Sequence, residues 1–375
     1  MITRVDYVQL LVDRLRLFVP EDSDEKSYFT ELIYDRIAAG NQSTPMGPLG
    51  IIGTPAATEQ IYGATLQALD YLDQPAELAA RPEGIVGLAN LAWENRPALP
   101  LQGGMLQPLT VGPWQHLAAD VVLQQAQSVC RIDLCTNGVP YCQLGTGFVV
   151  GSDQDRLLIM TNTHVVDVAT QLGWPSLPSL MLTCDFARDS VLGSGILLPL
   201  DNEYLTHPQH DLALLYLQNA HFSGTALPLA LTLASHVIND DINQPIGVIG
   251  HPALDTQRDG FFPLHYGFGN AFGIKRFSPG LVRARATRPW YGKYPTVDAI
   301  FHDATTLGGN SGSCIIDMNK GHIIGLHFGG WPMPNQQVVR IDQQDYLANL
   351  FYENGAVPLW TLAQDTMLNK VNFVA

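Results

Sequence analysis

The segment TTLGGNSGS at residues 305–313 places Ser311 between glycines in a stretch of small side chains. Glycine permits a tight turn because it lacks the Cβ atom that would clash there. In such a turn the backbone amides of Gly309 and Ser311 can point at one spot and stabilise negative charge on an attacked carbonyl oxygen. The segment alone also fits a flexible glycine–serine loop, so other parts of the chain must decide between the two interpretations.

Two other segments supply the partners that a nucleophilic serine needs. A serine hydroxyl requires a histidine to take its proton and a carboxylate to fix that histidine's tautomer. His164 follows an apolar run at 157–160, which predicts a buried strand that ends in a small polar turn. Asp211 immediately precedes the apolar run at 212–217 and is predicted to lie at the mouth of a strand.

Taken together, these motifs resemble those of the trypsin-like serine peptidases, over a region from about residue 128 to about residue 345. The matching motifs are GTGFVV at 145–150, TNTHV at 161–165, DLAL at 211–214 and GNSG at 309–312. The order histidine, aspartate, serine is that of chymotrypsin-like enzymes and differs from that of subtilisins and α/β hydrolases. The resemblance implies that His164 is the general base, Asp211 its orienting carboxylate and Ser311 the nucleophile, with Gly309 and Ser311 as the oxyanion donors.

Other residues offer alternatives for two of these roles. Asp303 is a second candidate for the carboxylate, although it is also placed to hydrogen-bond the loop that leads to Ser311. His210 is the main alternative to His164, but it adjoins Asp211, and neighbours along a strand point to opposite faces. We therefore favour His164. The remaining histidines near apolar segments are predicted to be structural: His207, His251, His302 and His322.

The residue before the nucleophile is Asn310. Relatives that are activated by cleavage carry an aspartate there and pair it with a new amino terminus, an ion pair that an amide cannot form. The resemblance therefore implies an enzyme that needs no amino-terminal trimming of that kind.

The predicted primary specificity pocket contains no carboxylate among Thr305, Thr306 and Leu307, which argues against a preference for basic residues. From residue 306 to residue 330 the sequence resembles the glutamyl endopeptidase group. That resemblance implies that Thr306 and His327 donate charge-assisted hydrogen bonds to a substrate carboxylate, and hence cleavage after Glu or Asp. The alternative is that His327 is only a structural wall of the pocket.

The strand after the nucleophile continues past His327 into Phe328, Gly329 and Gly330, which are predicted to contact substrate. The two glycines leave room for a substrate backbone to lie along the strand in extended form.

Composition excludes several classes of partner. The formal net charge is −15, with only 20 Lys and Arg residues, so nucleic acid is not expected as a partner. No apolar run approaches the roughly 20 residues of a membrane span, and the first residues lack a secretory pattern. The cysteine count of five is odd, and the spacing of the cysteines matches no zinc site. We expect a cytoplasmic protein that uses neither a metal nor another cofactor.

The periodicity predicts a multidomain fold with a small helical bundle followed by an all-β barrel region. The resemblance implies that this region consists of two antiparallel β-barrels of the chymotrypsin-like type. Apolar residues three and four apart predict four helices at 5–19, 24–39, 58–72 and 84–95, and one more at 114–127. Short strands between turn residues follow, the clearest at 244–252, 270–274, 281–286 and 322–328. Residues 339–354 are predicted to form a strand and then a terminal helix. The predicted domains are 1–96, helical, and 118–375, peptidase, with a linker at 97–117.

The role of the helical domain has two interpretations. It resembles the death-like or effector-associated adaptors of bacterial defence systems, which implies a protein partner in addition to the protein or peptide substrate. The alternative is that it only supports the peptidase or covers its cleft. Two other classes of function are a peptidase-fold binding protein without chemistry and a housekeeping quality-control protease. The chain keeps every predicted catalytic residue, and few residues follow Asp345 to form a PDZ domain.

Overall fold

The computed structural model describes residues 4–16, 18–20, 22–40, 55–94, 96–106, 119–187, 195–222, 226–236, 242–254, 271–289, 296–331, 339–341, 344–346 and 353–374.

Five α-helices lie in the described part of residues 1–96, together with a short 3-10 helix at Leu69–Tyr71. They are α1 (Arg4–Arg16), α2 (Glu25–Gly40), α3 (Pro55–Ala68), α4 (Pro75–Ala79) and α5 (Pro82–Glu94). Asp24 caps the start of α2, where its Oδ1 accepts a hydrogen bond from the Ser27 N–H at 2.8 Å. Proline occupies the first position of α3, α4 and α5, where its missing N–H costs nothing. Four of these helices match predicted ones, whereas α4 is too short to show a periodic pattern.

The apolar faces of these helices share one core. Val8, Leu11, Phe29 and Leu88 are completely buried in it. Leu307, which lies just before the predicted nucleophile loop, belongs to the same cluster. The helical region and the peptidase region are therefore in direct contact.

The predicted linker contains a hairpin. Strands β1 (Leu99–Gln102) and β2 (Met105–Leu106) pair antiparallel. Gly103 and Gly104 form the turn with φ values of 58° and 70°, which favour glycine. Helix α6 (Ala119–Ala126) follows and lies within the predicted helix at 114–127, of which residues 114–118 lie outside the described residues.

The first β unit is a seven-stranded sheet in the order β7-β6-β3-β4-β5-β9-β8. Its elements are β3 (Val129–Thr136), β4 (Val139–Asp153), β5 (Arg156–Thr161), helix α7 (Thr163–Gln171), β6 (Leu180–Asp185), β7 (Leu198–Pro199), β8 (Tyr204–Thr206) and β9 (Ala213–Gln218). The register between β3 and β4 shifts after Ile132 and after Leu134. Such bulges bend a strand, and the sheet is curled rather than closed.

The second β unit is a closed barrel. Its elements are β10 (Leu233–Ala234), β11 (Pro245–Gly250), β12 (Arg276–Pro289), β13 (Thr296–His302), β14 (Cys314–Asp317), β15 (Ile323–Trp331), β18 (Glu353–Pro358) and β19 (Phe373–Val374). Between β15 and β18, β16 (Val339–Ile341) and β17 (Gln344–Tyr346) form a separate two-stranded sheet. Six strands run β11-β14-β15-β18-β13-β12, and β12 pairs back onto β11. Strand β1 extends this sheet, because Leu99 lies opposite Phe277 in β12.

One local prediction is wrong, and another falls largely outside the described residues. Residues 271–274, the described part of the predicted strand at 270–274, are not a strand, which instead begins at Arg276. The segment 339–354 contains the antiparallel pair β16–β17 and the start of β18, with no helix among its described residues. Residues 347–352, where the predicted terminal helix falls, lie outside the described residues.

A large hydrophobic cluster joins the two β units. Phe148 and Met160 from the first sheet share it with Phe277 and Phe301 from the second barrel, and all four are completely buried. The loops that end β5 and β13 therefore open at one junction between the two units. Within the described residues, every helix is too short or too polar to span a bilayer.

Candidate active site

His164 and Asp211 are in direct contact at the junction between the β units. The Nδ1 atom of His164 lies 2.6 Å from Oδ2 of Asp211, and the backbone N–H of His164 donates to Oδ1 at 3.0 Å. The Asp211 side chain is only 4% exposed, whereas that of His164 is 43% exposed. Because a buried carboxylate accepts a proton-bearing nitrogen, Nδ1 carries the imidazole proton and Nε2 is left to accept one.

The predicted turn carrying His164 is the first turn of a helix. Asn162 precedes α7 with an extended backbone and leaves His164 as the second helical residue. The Nδ2 group of Asn162 donates to the carbonyl oxygen of Asp211 at 2.7 Å, and the hydroxyl of Thr163 donates to that of Leu212 at 2.8 Å. These buried bonds fix the start of α7 against the loop before β9 and so hold the imidazole and the carboxylate in register.

The loop that carries Ser311 connects β13 to β14 and has two glycines with left-handed backbones. The φ values are 84° at Gly309 and 87° at Gly312, a region that favours glycine. Thr146, in β4 of the first sheet, holds this loop through two bonds. Its N–H donates to the carbonyl oxygen of Ser311 at 2.8 Å, and its hydroxyl donates to that of Gly309 at 2.8 Å.

The two predicted oxyanion amides are oriented by the carbonyl groups of their own peptide units. The oxygen of Gly308 accepts from the Ala253 N–H at 2.6 Å, and that of Asn310 accepts from the Ser313 N–H at 2.9 Å. In a trans peptide the N–H points opposite to the C=O, so the Gly309 and Ser311 amides face away from these partners. Neither amide donates to an acceptor among the described residues, which leaves both available to a ligand.

Gly145 lies close to Ser311 and to Val165, the residue after His164, but the Ser311 and His164 side chains are not hydrogen-bonded to each other in the described part of the chain. A Cβ atom added to Gly145 would lie 2.8 Å both from the Ser311 carbonyl oxygen and from a methyl group of Val165, the residue after His164. The Ser311 hydroxyl instead donates to the Phe328 carbonyl oxygen at 3.5 Å. Rotation about its Cα–Cβ bond would turn it away from that acceptor.

His327 is buried in the wall of the predicted specificity pocket. Its Nδ1 lies 3.3 Å from Nε2 of His302, which is also buried, and the two rings meet edge to face. The strand bearing His327 is tied to the nucleophile loop, because Gly312 donates to its carbonyl oxygen at 2.8 Å and its N–H donates to Ser313 at 2.9 Å. The imidazole therefore has a fixed position relative to Ser311.

The predicted hydroxyl donor of the pocket, Thr306, already has a partner. Its Oγ1 donates to Oδ1 of Asn354 at 2.7 Å, while Nδ2 of Asn354 donates to the Ala304 carbonyl oxygen at 2.7 Å. A substrate carboxylate would receive this proton only if the hydroxyl turned away from Asn354. Thr306 is thus held by Asn354 rather than directed at the pocket.

The predicted substrate strand is open along one edge. Gly329 and Gly330 pair with Gly355 and Asn354 of β18, while the pairing between β14 and β15 ends at Leu326. The Phe328 ring lies over Gly355, where an added Cβ would be 2.6 Å from the ring. Beyond His327, no described strand pairs with the edge of β15 that faces the nucleophile loop.

Asp303, the alternative carboxylate, does not contact His164. Its carboxylate accepts from Nε and Nη2 of Arg96 at 2.7 and 2.9 Å, from the Leu281 N–H at 2.8 Å and from Nε of Arg283. These partners agree with the prediction that Asp303 is bound within the loop leading to Ser311.

His210, the alternative to His164, lies in the loop that precedes Asp211, together with His207. His207 accepts the backbone N–H groups of Gln209 and His210 on Nδ1, at 3.1 and 3.0 Å, and donates from Nε2 to Asp365 at 3.0 Å. Burial lowers the pKa of His210, and the nearby His207 lowers it further. Hydrogen bonding to His207 lowers the pKa of Asp365.

Asn310 is buried and bonded within its own loop. Its Nδ2 donates to the Leu307 carbonyl oxygen at 3.3 Å, and its Oδ1 accepts from the Ser313 hydroxyl at 3.4 Å. The loop is thus ordered without an ion pair at this position.

All five cysteines are free thiols: Cys130, Cys135, Cys142, Cys184 and Cys314. Burial raises the pKa of Cys314 to about 12, so it stays a thiol behind the nucleophile loop. Within the described part of the chain no cluster of His, Cys, Asp and Glu could hold a metal ion.

The sequence did not identify several residues that order this site. Thr146 lies inside the GTGFVV motif, so its position was visible but its bonds to the nucleophile loop were not. His302 was assigned a structural role without reference to His327. Arg96 and Asn354 lie in segments with no recognisable motif.

Comparison with known proteins identifies the domain. Residues 145–326 match the family model of the trypsin-like peptidase domain. A probable serine protease of Lysobacter enzymogenes is 27% identical over 270 residues, which cover 63% of this chain and 67% of that protein. The active form of the Rv3671c protease of M. tuberculosis has 20% identity and a TM-score of 0.41, covering 72% of this chain and 91% of that chain. The HtrA-type protease AlgW with a decapeptide has 20% identity and a TM-score of 0.40, covering 66% of each chain.

The chain is a serine endopeptidase with a trypsin-like peptidase domain, as the sequence predicts. The predicted fold class is confirmed, with the refinement that the first β unit is a curled sheet and the second a closed six-stranded barrel.

Proposed function

We propose that the chain cleaves peptide bonds through an acyl-enzyme on Ser311, with His164 as general base and Asp211 as its orienting carboxylate. The observation that carries this proposal is the 2.6 Å contact between His164 Nδ1 and Asp211 Oδ2. It leaves Nε2 of a half-exposed imidazole as the proton acceptor at the junction where the Ser311 loop lies.

In the first step, Oγ of Ser311 attacks the carbonyl carbon of the scissile bond while its proton passes to Nε2 of His164. The oxyanion that forms is stabilised by the amides of Gly309 and Ser311. The carbon–nitrogen bond then breaks as His164 returns the proton to the leaving amine. Water, deprotonated by His164, attacks the resulting ester, and the second product leaves with the regenerated Ser311 hydroxyl.

Within this proposal, the pocket prefers Glu or Asp on the amino side of the cleaved bond. His327 supports this preference because its Nδ1 faces Nε2 of His302 at 3.3 Å. When Nε2 of His302 donates to Nδ1 of His327, the proton of His327 resides on its Nε2. This N–H can donate a hydrogen bond to a substrate carboxylate. A charge-assisted bond in a buried pocket is stronger than a neutral one.

Charge in the surroundings also bears on this preference. Asp303, the acidic residue closest in sequence to the pocket segment, is neutralised by Arg96 and Arg283. The net charge of −15 repels acidic substrates at long range, but physiological salt screens that repulsion beyond about 8 Å.

Fluorophosphonate labelling tests the catalytic proposal. The full chain, produced with its own Met1, is expected to label at Ser311 without any cleavage, because Asn310 needs no new amino terminus. Ser311→Ala is the matched control and should not label. Equal labelling of both proteins, or labelling only after nicking, would contradict the proposal.

A peptide library tests the pocket separately. Cleavage after Glu or Asp is expected, and His327→Ala should lose that selectivity while still labelling. A preference for Arg, Phe or Leu in the unaltered protein would overturn the acidic pocket and leave the catalytic proposal standing.

We also propose a cytoplasmic location, which the five free thiols support because such thiols persist in reducing compartments. The role of the helical region as an effector-associated adaptor in bacterial defence is kept as a hypothesis, based on the resemblance alone. Removal of residues 1–115, followed by measurement of turnover and oligomeric state, would test it.

A further inference from the structure

The segment between β13 and the nucleophile loop has two faces with different partners. Asp303, Thr305 and Leu307 contact the helical region: Asp303 binds Arg96, the Thr305 hydroxyl donates to the Arg96 carbonyl oxygen at 2.5 Å, and Leu307 lies in the helical core. Ala304 and Thr306 face the barrel, where Ala304 joins a buried cluster and Thr306 bonds Asn354. Successive side chains of an extended chain point to opposite sides. Residues 303–307 therefore lie between the helical region and the barrel, with alternate side chains contacting each.

Arg96 forms the polar part of this contact. Its guanidinium binds both carboxylate oxygens of Asp303, and the two side chains are only 4% and 1% exposed. Two parallel N–H···O bonds fix orientation as well as distance. The same guanidinium lies 4.3 Å from the centre of the Phe18 ring, which packs on the helical core. Arg96 therefore links the helical core to Asp303, two residues before Thr305.

Leu307 forms the apolar part. It is buried in the same cluster as the apolar residues of the helical core, and the next four residues are Gly308, Gly309, Asn310 and Ser311. The Leu307 carbonyl oxygen accepts from both the N–H and the side chain of Asn310. A shift of Leu307 in the helical core would move the peptide units that carry the oxyanion amides.

We propose that Arg96 is a positioning residue for the primary specificity pocket, through which the helical region holds residues 303–307 in their working geometry. The inference rests on the proposed function for what the pocket does. The proposal gives the helical region a part in catalysis, because helical-region residues contact one face of residues 303–307. A helical region that served only as a tethered adaptor would have no such part.

The structure offers a way to separate positioning from folding. Asp303 keeps Arg283 and the Leu281 N–H when Arg96 is changed, so Arg96→Gln leaves no buried carboxylate without a partner. Arg96→Lys keeps the charge but loses the two-pronged geometry. Arg16→Gln is the matched control, because Arg16 lies in the same helical region, is 36% exposed, and pairs with Glu25 and Asp73 instead of a peptidase residue.

The experiment measures kcat and KM for peptides carrying whichever residue the unaltered protein prefers at the cleaved position, beside the rate of labelling by a small fluorophosphonate. Arg96→Gln is expected to lower kcat/KM by roughly 10- to 100-fold, since small misplacements of a positioned substrate have effects of that size. Selectivity between peptides should fall with it, labelling should fall less, and Arg96→Lys should recover part of the loss. Arg16→Gln should match the unaltered protein.

The proposal would be overturned if the Arg96→Gln protein folds and its kcat/KM and selectivity equal those of the Arg16→Gln protein. If Arg96→Gln does not fold, Thr305→Val decides instead, since it removes only the hydroxyl bond to the Arg96 carbonyl. Reduced selectivity in Thr305→Val supports positioning, and unchanged selectivity overturns it. Failure of the unaltered protein to label would count against the proposed function. That outcome differs from a result in which the unaltered protein labels and only the variants change.

Discussion

The hydroxyl of Thr146 donates to the carbonyl oxygen of Gly309 at 2.8 Å, across the junction between the first sheet and the nucleophile loop. The Thr146 hydroxyl oxygen also accepts the His251 N–H at 3.0 Å, and the Thr146 N–H donates to the Ser311 carbonyl oxygen. One residue of the first sheet therefore holds the carbonyl groups of both Gly309 and Ser311. The site depends on this contact between the two β units as much as on the three candidate catalytic side chains.

Thr146→Val removes the hydroxyl and keeps the shape and the backbone bond. We expect kcat to fall roughly 10- to 100-fold with little change in KM, because the loss affects how the oxyanion amides are held rather than the pocket. Steady-state kinetics on one peptide would measure this. Thr170→Val is the control, since the Thr170 hydroxyl bonds only within α7. Equal kinetics in the two variants would show that the Thr146 hydroxyl is dispensable.

A methyl group at Gly312 should disrupt the loop. The φ value there is 87°, and a Cβ would lie 1.9 Å from the Thr146 carbonyl oxygen and 2.4 Å from the Thr161 hydroxyl. Gly312→Ala should lose fluorophosphonate labelling and about 1–3 kcal/mol or more of stability. Gly308→Ala is the matched control, because a Cβ there meets nothing within 4 Å. Normal labelling of Gly312→Ala would mean that the loop adopts another conformation.

The features that the sequence predicts depend on neighbouring residues. His164 and Asp211 are candidates because each adjoins a short apolar run, and Ser311 is a candidate because glycines lie on both sides of it within three residues. Four helices were found from the spacing of their apolar residues. Helix α4, with five residues, was missed because it is too short to repeat that spacing.

Contacts between distant residues were beyond that reasoning. Thr146 and Gly309 are 163 positions apart, and Arg96 and Asp303 are 207 apart. Nothing local marks either pair, since a threonine in a strand and an arginine after a helix are ordinary. Residues 97–106 were assigned to a linker because proline and glycine are frequent there, yet tertiary pairing with β12 makes part of them a strand.

The two aspartates near the junction should differ in what their loss affects. Asp211→Asn should lower activity about 10⁴-fold, since the amide favours the wrong tautomer of His164. Asp303→Asn leaves Arg96 and Arg283 without a buried counter-charge and should cost about 3–5 kcal/mol of stability. Urea denaturation and peptide turnover measure the two effects. A folded Asp303→Asn protein without turnover, beside an active Asp211→Asn protein, would transfer the carboxylate role to Asp303.

Stability should depend on pH through His210, which lies beside Asp211 in a half-buried loop. Burial and the neighbouring His207 lower the pKa of His210, against an opposing effect of Asp298 and Asp365. The unfolded chain therefore binds this proton at a higher pH than the folded chain does, and protonation favours unfolding. The contribution of neutral His210 is fully present above the usual pKa of about 6.5. It is lost progressively as the pH falls through that value, and the loss is complete below the folded-state pKa.

His210→Gln removes this titration, so its free energy of unfolding should fall less than that of the unaltered protein between pH ~7 and pH ~5. Urea denaturation at a series of pH values in that range measures both curves. His236→Gln serves as the control, because His236 is a histidine whose ring contacts only the adjacent Ser235 hydroxyl in the described residues. Parallel curves for the unaltered protein and His210→Gln would show that another group sets the acid limb.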